Sequence, residues 1–130
     1  MRRRAREAVL RCLYRREFVR QSAPELLAGE RLGGEAEFAG RLLAGVIERQ
    51  PEIDRIINER AHGWGVDRLA VVDRNILRLG LYEVLYSDTP LEVAIDEAVE
   101  LAKTYGTERA PAFINGILDR VGKEAGRCAP

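Results

Sequence analysis

Apolar residues recur every three or four positions along most of the chain, which is the spacing of helices that bury one face. The segments with this spacing are residues 3–18, 37–49, 53–57, 69–86, 91–105 and 111–124, and one short turn near Pro24 adds to them. No segment alternates between apolar and polar residues as a half-buried strand does. The pattern therefore predicts an all-α fold, a compact bundle of about seven helices.

Capping residues and prolines indicate where several of these helices begin. Ser22 and Glu25 have capping-box spacing, so one helical turn is expected there. Pro51 interrupts an apolar stripe and is expected to end one helix and open the next. Thr89 stands where an N-cap is expected, with Pro90 at the first helical position and Glu92 completing a second capping box.

Glycines indicate where helices end and where the chain divides. Gly106 follows an apolar stripe and is expected to supply a left-handed C-terminal stop. The segment from His62 to Gly65 holds two glycines near the middle of the chain, which is typical of a join between helices. We therefore expect one domain over residues 1–130, made of two helical subdomains at about 1–62 and 66–125.

Composition places the chain among single-domain helical proteins. The 130 residues are 46% hydrophobic, enough for one core, and only 6% are aromatic. Cys12 and Cys128 lie far apart in the sequence, which does not support a disulfide framework and fits a reducing compartment. No apolar run suggests a signal peptide or a membrane span. A cytoplasmic protein is expected.

Charge is balanced over the whole chain but not along it. The formal net charge is zero, yet residues 1–20 hold eight arginines and two glutamates, a net charge of +6. The remaining residues must therefore carry a net charge of −6. Such asymmetry is typical of a segment that meets a polyanion.

Residues that could carry out catalysis are scarce. His62 is the only histidine and has no neighbouring cysteine or second histidine, so neither a metal site nor a general base is indicated. No glycine-rich phosphate loop is present. Glu92, Asp96 and Glu100 share one helix face, and they fit a solvated face or a docking surface for a basic partner better than paired catalytic acids. The sequence predicts no enzyme, cofactor or metal.

The first helix has the strongest functional pattern. Arginines at a helix N-terminus meet the positive end of the macrodipole, so helix stability does not explain them. Arginine binds phosphate through paired hydrogen bonds and stacks on bases. Tyr14 lies about three turns after Arg3 on nearly the same side and offers a stacking surface. RNA binding is one interpretation; a frayed, solubilising basic arm is the other.

Four segments in combination resemble the NusB family of bacterial transcription antitermination factors. They are RRRAREAVLRCLY at Arg2–Tyr14, NILRLGLYEVLY at Asn75–Tyr86, PLEVAIDEAVELAKTYG at Pro90–Gly106 and FINGILD at Phe113–Asp119. The resemblance implies two stacked helical subdomains with the first helix against the C-terminal bundle. It also implies binding of single-stranded boxA RNA in nascent ribosomal RNA transcripts, together with the ribosomal protein NusE, in an RNA polymerase antitermination complex.

Site residues follow from the resemblance position by position. The RNA-binding residues it implies are Arg2, Arg3, Arg4, Arg6, Arg11, Tyr14 and Phe113. Arg109 occupies a position where relatives can carry an acid, which adds a candidate phosphate contact. Candidates for the NusE-facing surface are Asp73 and Glu83, with Glu92 and Asp96 as weaker ones.

Two alternatives remain open from the sequence alone. A similar helical domain accompanies ribosomal RNA cytosine methyltransferases, so the chain can also be an RNA-targeting module of that kind. A homodimer formed through the first-helix surface would instead hide the RNA site.

Overall fold

The computed structural model describes residues 2–61 and 65–126. Within these ranges the chain forms α1 (Arg3–Arg16), α2 (Ala23–Leu27), α3 (Ala36–Arg60), α4 (Val71–Tyr86), α5 (Leu91–Tyr105) and α6 (Ala110–Glu124). Single 3₁₀ turns at Gly33–Glu35 and Val66–Arg68 precede α3 and α4. The all-α prediction is confirmed, although the described residues form six α-helices rather than about seven.

The difference in helix number arises at Pro51, where the predicted break was wrong. Pro51 lies exposed inside the continuous helix α3. The buried side chains before it, Leu42 and Val46, lie on the same helical stripe as the buried Ile53 and Ile57 after it. Because both halves bury one continuous stripe against the core, packing outweighs the hydrogen bond that proline removes.

The helix starts agree only partly with the predicted caps. Ser22 caps α2 as expected, since its hydroxyl accepts from the Glu25 N–H and its own N–H donates to the Glu25 carboxylate. The predicted capping box at Thr89 was wrong. Helix α5 begins at Leu91 without a side-chain cap, and the Thr89 hydroxyl instead donates to Glu83.

Gly106 ends α5, but not in the left-handed conformation that was predicted. Its backbone is extended, with φ −84° and ψ 175°. Glycine is required there by close approach, because a Cβ atom would lie 2.8 Å from the Ala102 carbonyl oxygen and 3.0 Å from Asp73 Oδ1. The backbone of this turn therefore packs directly against the start of α4.

Helix α4 is the central element of the core. It packs against α1 and α3 on one side and against α5 and α6 on the other. Gly80 permits a close approach to α5 and α6, since a Cβ atom there would lie 2.8 Å from Leu118 and 3.2 Å from Ala98. His62, Gly63 and Trp64, where the join between two subdomains was expected, lie outside the described residues, so that division stays a prediction. None of the described helices is long and apolar enough to cross a membrane.

Candidate nucleic-acid interface

Helix α1 buries one face and exposes the other, as its 3.6-residue period requires. Its buried residues include Ala5, Ala8, Val9, Cys12 and Leu13. Arg3, Arg4, Arg11 and Tyr14 are exposed on the other face, and Arg2 is exposed just before the helix. The basic segment of the sequence is therefore a surface, with one exception.

That exception is Arg6, which lies in the interior. Its guanidinium makes two hydrogen bonds of 2.7 Å to the Glu83 carboxylate, and the Arg6 and Glu83 side chains are only 5% and 2% exposed. Thr89 donates a further hydrogen bond to Glu83. Arg6 is thus fully engaged within the protein, and we do not retain it as a direct RNA contact.

The arginines at the start of α1 differ in how they are held. The Arg2 guanidinium lies 4.2 Å from the centre of the Phe38 ring, a cation–π contact. Arg3 pairs with Glu97 of α5, with a shortest distance of 3.2 Å between Nη2 and Oε2. Arg4 is exposed and has no ion-pair partner among the described residues. Phosphate groups therefore have open access to this end of the helix.

Further along α1, Arg11 and Arg15 both contact the carboxylate of Glu30. Arg11 makes two hydrogen bonds to Glu30, of 3.3 and 2.8 Å, and Arg15 approaches Glu30 at 3.7 Å. The hydrogen bond to Glu30 is the main reason that the pKa of Arg11 lies above its ordinary value. Arg15 also donates to the Leu26 carbonyl oxygen at 3.0 Å.

Exposed aromatic rings border these arginines. Tyr14 and Phe18 contact each other with ring centres 5.3 Å apart and ring planes tilted by 58°, and the two residues are 48% and 66% exposed. Tyr105 of α5, 43% exposed, and Val72 of α4 complete a shallow groove with them. Arg11 and Arg15 line the same groove. Aromatic surfaces beside cations are typical of proteins that bind single-stranded nucleic acids.

A second groove lies next to the first, since both include the first turn of α4. Arg109, Phe113, Arg68 and Leu69 line it, with Asp73 at its wall. Phe113 is partly buried against the core and Arg109 is exposed. The fold therefore brings Arg109 and Phe113, which were predicted to contact RNA, close to the groove that Tyr14, Phe18 and Tyr105 form.

The four candidates for a partner surface fall into two classes. Asp73 is buried and accepts hydrogen bonds from the Thr107 N–H and hydroxyl, at 3.0 and 2.5 Å, so it anchors the α5–α6 turn. Glu83 is the buried partner of Arg6. Neither is kept as a partner-facing residue. Glu92 and Asp96 are exposed on α5 and remain candidates.

Three residues of this surface escaped sequence reasoning. Tyr105, the last residue of α5, is exposed, and its hydroxyl donates to Glu7 at 2.9 Å. Phe18 follows Tyr14 by four positions, a spacing that places two rings together on a helical turn. Arg15 follows Arg11 by the same interval. The four-residue spacing could have indicated Phe18 and Arg15 from the sequence, whereas only the tertiary structure brings Tyr105 next to them.

Comparison with known proteins identifies the family. A sequence profile described as the NusB family matches residues 3–123. The chain belongs to the NusB family. It is 41% identical over 130 residues to the transcription antitermination protein NusB of Myxococcus xanthus, an alignment that covers 92% of this chain and 93% of the relative. It is 46% identical over 127 residues to NusB of Geobacter sulfurreducens, covering 92% of each chain.

Solved structures of the NusB family share the fold. NusB of T. maritima matches with a TM-score of 0.84 and 44% identity, covering 95% of this chain and 92% of that one. A structure of the antitermination factors NusB and NusE in complex with double-stranded RNA matches with a TM-score of 0.79 and 30% identity, covering 95% and 96%. These similarities extend over nearly the whole bundle, α1 and α6 included.

Proposed function

We propose that this chain is a transcription antitermination factor that binds single-stranded boxA RNA of nascent ribosomal RNA transcripts together with NusE. Family membership supports this, as does the likeness to NusB in a complex that contains NusE and RNA. The observation that carries the proposal is the surface of exposed arginines and aromatic rings that α1 forms with the end of α5, beside a second groove at the start of α6.

The two components of this surface do different work. Arg2, Arg3 and Arg4 supply positive charge for phosphates, which gives affinity that falls as salt rises. Tyr14, with Phe18 beside it, supplies stacking for bases, which is largely independent of salt. Phe113 and Arg109 extend the path from α6. The bound RNA is therefore unpaired along the groove, since stacking on a side chain needs exposed base faces.

The partner surface that we propose lies on α5. Glu92 and Asp96 are exposed there and offer an acidic face that suits a basic surface of NusE. The same helix carries Glu97, which pairs with Arg3 of α1. Because NusE and RNA would then contact adjoining helices, we expect binding of one to strengthen binding of the other. In this role the chain is a non-enzymatic adaptor in the cytoplasm that connects RNA to the transcribing RNA polymerase.

Titration of the chain with a labelled boxA oligonucleotide tests the ligand and the partner together. We expect specific binding that tightens when NusE is added. A scrambled oligonucleotide and a duplex of the boxA sequence serve as controls. Equal affinity for the boxA strand and the scrambled strand would contradict a boxA factor, and preference for the duplex would contradict base stacking.

Substitution of arginines tests the phosphate contacts. Replacing Arg3 and Arg4 together by alanine should weaken boxA binding and reduce the salt dependence, by roughly 0.7 in the logarithmic slope for each phosphate of the single strand that is no longer neutralised. Arg55 and Arg120, exposed on α3 and α6, provide the matched double replacement, which should change neither quantity. An unchanged slope in the Arg3 and Arg4 variant would argue against contact with phosphates.

Substitution of aromatic residues tests the stacking contacts separately. Tyr14→Ala or Phe113→Ala should cost about 1–3 kcal/mol of binding free energy each and leave the salt slope close to that of the unsubstituted chain. Thermal unfolding of each variant shows whether the fold is kept. A reduced slope with unchanged affinity at low salt would contradict the assignment of these rings to bases.

A further inference from the structure

Glu30 lies in the connection between α2 and α3 and holds two arginines of the proposed RNA surface. Arg11 Nη2 lies 2.8 Å from Glu30 Oε1, Arg11 Nε lies 3.3 Å from Oε2, and Arg15 Nη2 lies 3.7 Å from Oε2. The Glu30 side chain is only 12% exposed, whereas those of Arg11 and Arg15 are 51% and 42% exposed. The two guanidinium groups thus converge on one anion and remain open to solvent.

This arrangement has the chemistry of a phosphate site. A guanidinium fork that binds two carboxylate oxygens also binds two oxygens of a phosphodiester. Arg15 is held in place independently of Glu30 by its hydrogen bond to the Leu26 carbonyl oxygen. Its position is therefore kept when another anion replaces the carboxylate.

The position of these arginines points to a nucleotide as the source of that anion. Arg11 and Arg15 line the groove that Tyr14, Phe18 and Tyr105 form. A base stacked in this groove has its own phosphate within a few ångströms of the groove's edge. The cations and the rings consequently fit one nucleotide of a single strand.

We infer that Arg11 and Arg15 form a phosphodiester site of the RNA surface that Glu30 occupies as an intramolecular competitor in the free protein. The inference rests on the proposed RNA-binding function and adds to it Arg15 and a carboxylate that RNA must displace. Glu30 then limits the affinity of the free protein for polyanions in general. The RNA strand that also stacks in the aromatic groove is the ligand best able to displace it.

Glu30→Gln separates this competition from a structural contact, because glutamine keeps the size and one hydrogen-bond acceptor but removes the charge. Because both arginines of this ion pair are about half exposed, solvent weakens the pair, and we expect boxA RNA to bind about two- to fivefold more tightly to the variant. Glu124→Gln is the matched control, since Glu124 forms a two-contact pair with Arg60 between α6 and α3. It should bind like the unsubstituted chain. Equal or weaker binding by Glu30→Gln would overturn the inference.

A double substitution tests whether the released arginine contacts RNA. Arg11→Gln should reduce RNA affinity more in the Glu30→Gln background than in the unsubstituted chain, where Glu30 already engages Arg11. An equal reduction in the two backgrounds would overturn the inference, even if Glu30→Gln alone binds more tightly.

Inorganic tripolyphosphate separates failure of this inference from failure of the proposed function. NMR of the arginine Nε–H groups should show tripolyphosphate perturbing Arg11 and Arg15 at lower concentration in Glu30→Gln than in the unsubstituted chain. If this holds while boxA RNA does not bind, the proposed function fails and the anion site stands. If boxA RNA binds while neither ligand distinguishes Glu30→Gln, the anion site fails and the function stands.

Discussion

Arginines that look alike in the first helix lie in different physical surroundings. Arg4 is exposed to solvent, Arg11 is half-exposed and paired with Glu30, and Arg6 is buried against Glu83. An exposed guanidinium is available to phosphate at little cost. A buried one has lost its hydration and depends on its partner. The basic segment therefore contains both exposed arginines, which we propose bind RNA, and one buried structural arginine.

Arg6→Met should destabilise the protein by about 3–5 kcal/mol, because it leaves the Glu83 carboxylate buried without its cation. Urea unfolding followed by circular dichroism measures the change. Arg4→Met, on the exposed face of the same helix, should change the free energy of unfolding by no more than about 0.5 kcal/mol. Replacing Arg6 and Glu83 together by methionine should recover part of the stability. Equal effects of the two single substitutions would contradict the buried pair.

At the scale of elements, α3 shows how packing overrides a local signal. Helix α3 continues through Pro51 because the apolar residues before and after the proline form one buried stripe. Neither half of the helix alone reaches across the core. The missing backbone hydrogen bond is nevertheless a cost that remains in the folded state. Replacing the proline should therefore raise the free energy of unfolding.

Pro51→Ala should raise the free energy of unfolding, by up to about 3 kcal/mol, since alanine restores an N–H donor and relieves contact with the preceding turn. Thermal and urea unfolding provide the measurement. Pro24→Ala is the control, because Pro24 lies in the first turn of α2, where proline is well tolerated. A destabilising effect of Pro51→Ala would show that α3 needs the proline for its geometry.

The end of α1 is joined to α4 by a network of charges around Glu17. Arg74 donates two hydrogen bonds to the Glu17 carboxylate, of 2.6 and 3.0 Å, and Arg78 donates one of 2.9 Å. Arg78 also makes two hydrogen bonds to Asp54 of α3. The hydrogen bonds from Arg74 are the main reason that the pKa of Glu17 lies below its ordinary value.

A lowered pKa in the folded state means that ionised Glu17 stabilises the fold above the unfolded-state pKa, and that this contribution is lost as pH falls through the folded-state pKa. The difference in unfolding free energy between the unsubstituted chain and Glu17→Gln should therefore be largest above about pH 5 and shrink in more acidic solution. Urea unfolding over a pH series measures it. Glu48→Gln, on the exposed face of α3, should differ little from the unsubstituted chain at any pH. A constant difference for Glu17→Gln would contradict the prediction.

At the scale of the whole molecule, α4 connects the N-terminal helices to the C-terminal helices. Its side chains meet α1 and α3 on one side and α5 and α6 on the other. The Arg6–Glu83 pair and the Glu17 network add polar links between α1 and α4. Neither group of helices can expose its side of α4 without uncovering apolar surface.

We therefore expect the chain to unfold in one cooperative transition, even though its sequence suggests two subdomains. Far-UV and near-UV circular dichroism should give the same midpoint, and the calorimetric enthalpy should equal the van't Hoff enthalpy. Two separate midpoints would show that residues 1–62 and 66–125 fold independently.

The sequence by itself determined the class of fold, most helix boundaries and the basic character of the first helix. These are properties of local periodicity, capping and composition, and they need no knowledge of distant residues. Resemblance to a family added an expected RNA surface, position by position. The capping box at Ser22 shows the local case well, because all its partners lie within four residues.

Tertiary structure decided whatever depends on residues far apart in the chain. Thr89 donates a hydrogen bond to Glu83 instead of capping a helix. Arg6 is buried and pairs with the same carboxylate, although Arg6 and Glu83 are 77 positions apart in the sequence. The tertiary structure also placed Tyr105 beside Tyr14 and Glu30 beneath Arg11. A helical period shows which residues share a face, but the burial and pairing of a charged side chain depend on the helix that packs against it. For that reason the arginine-rich helix was evident from the sequence, while the pairing of its arginines with Glu30 and Glu83 was not.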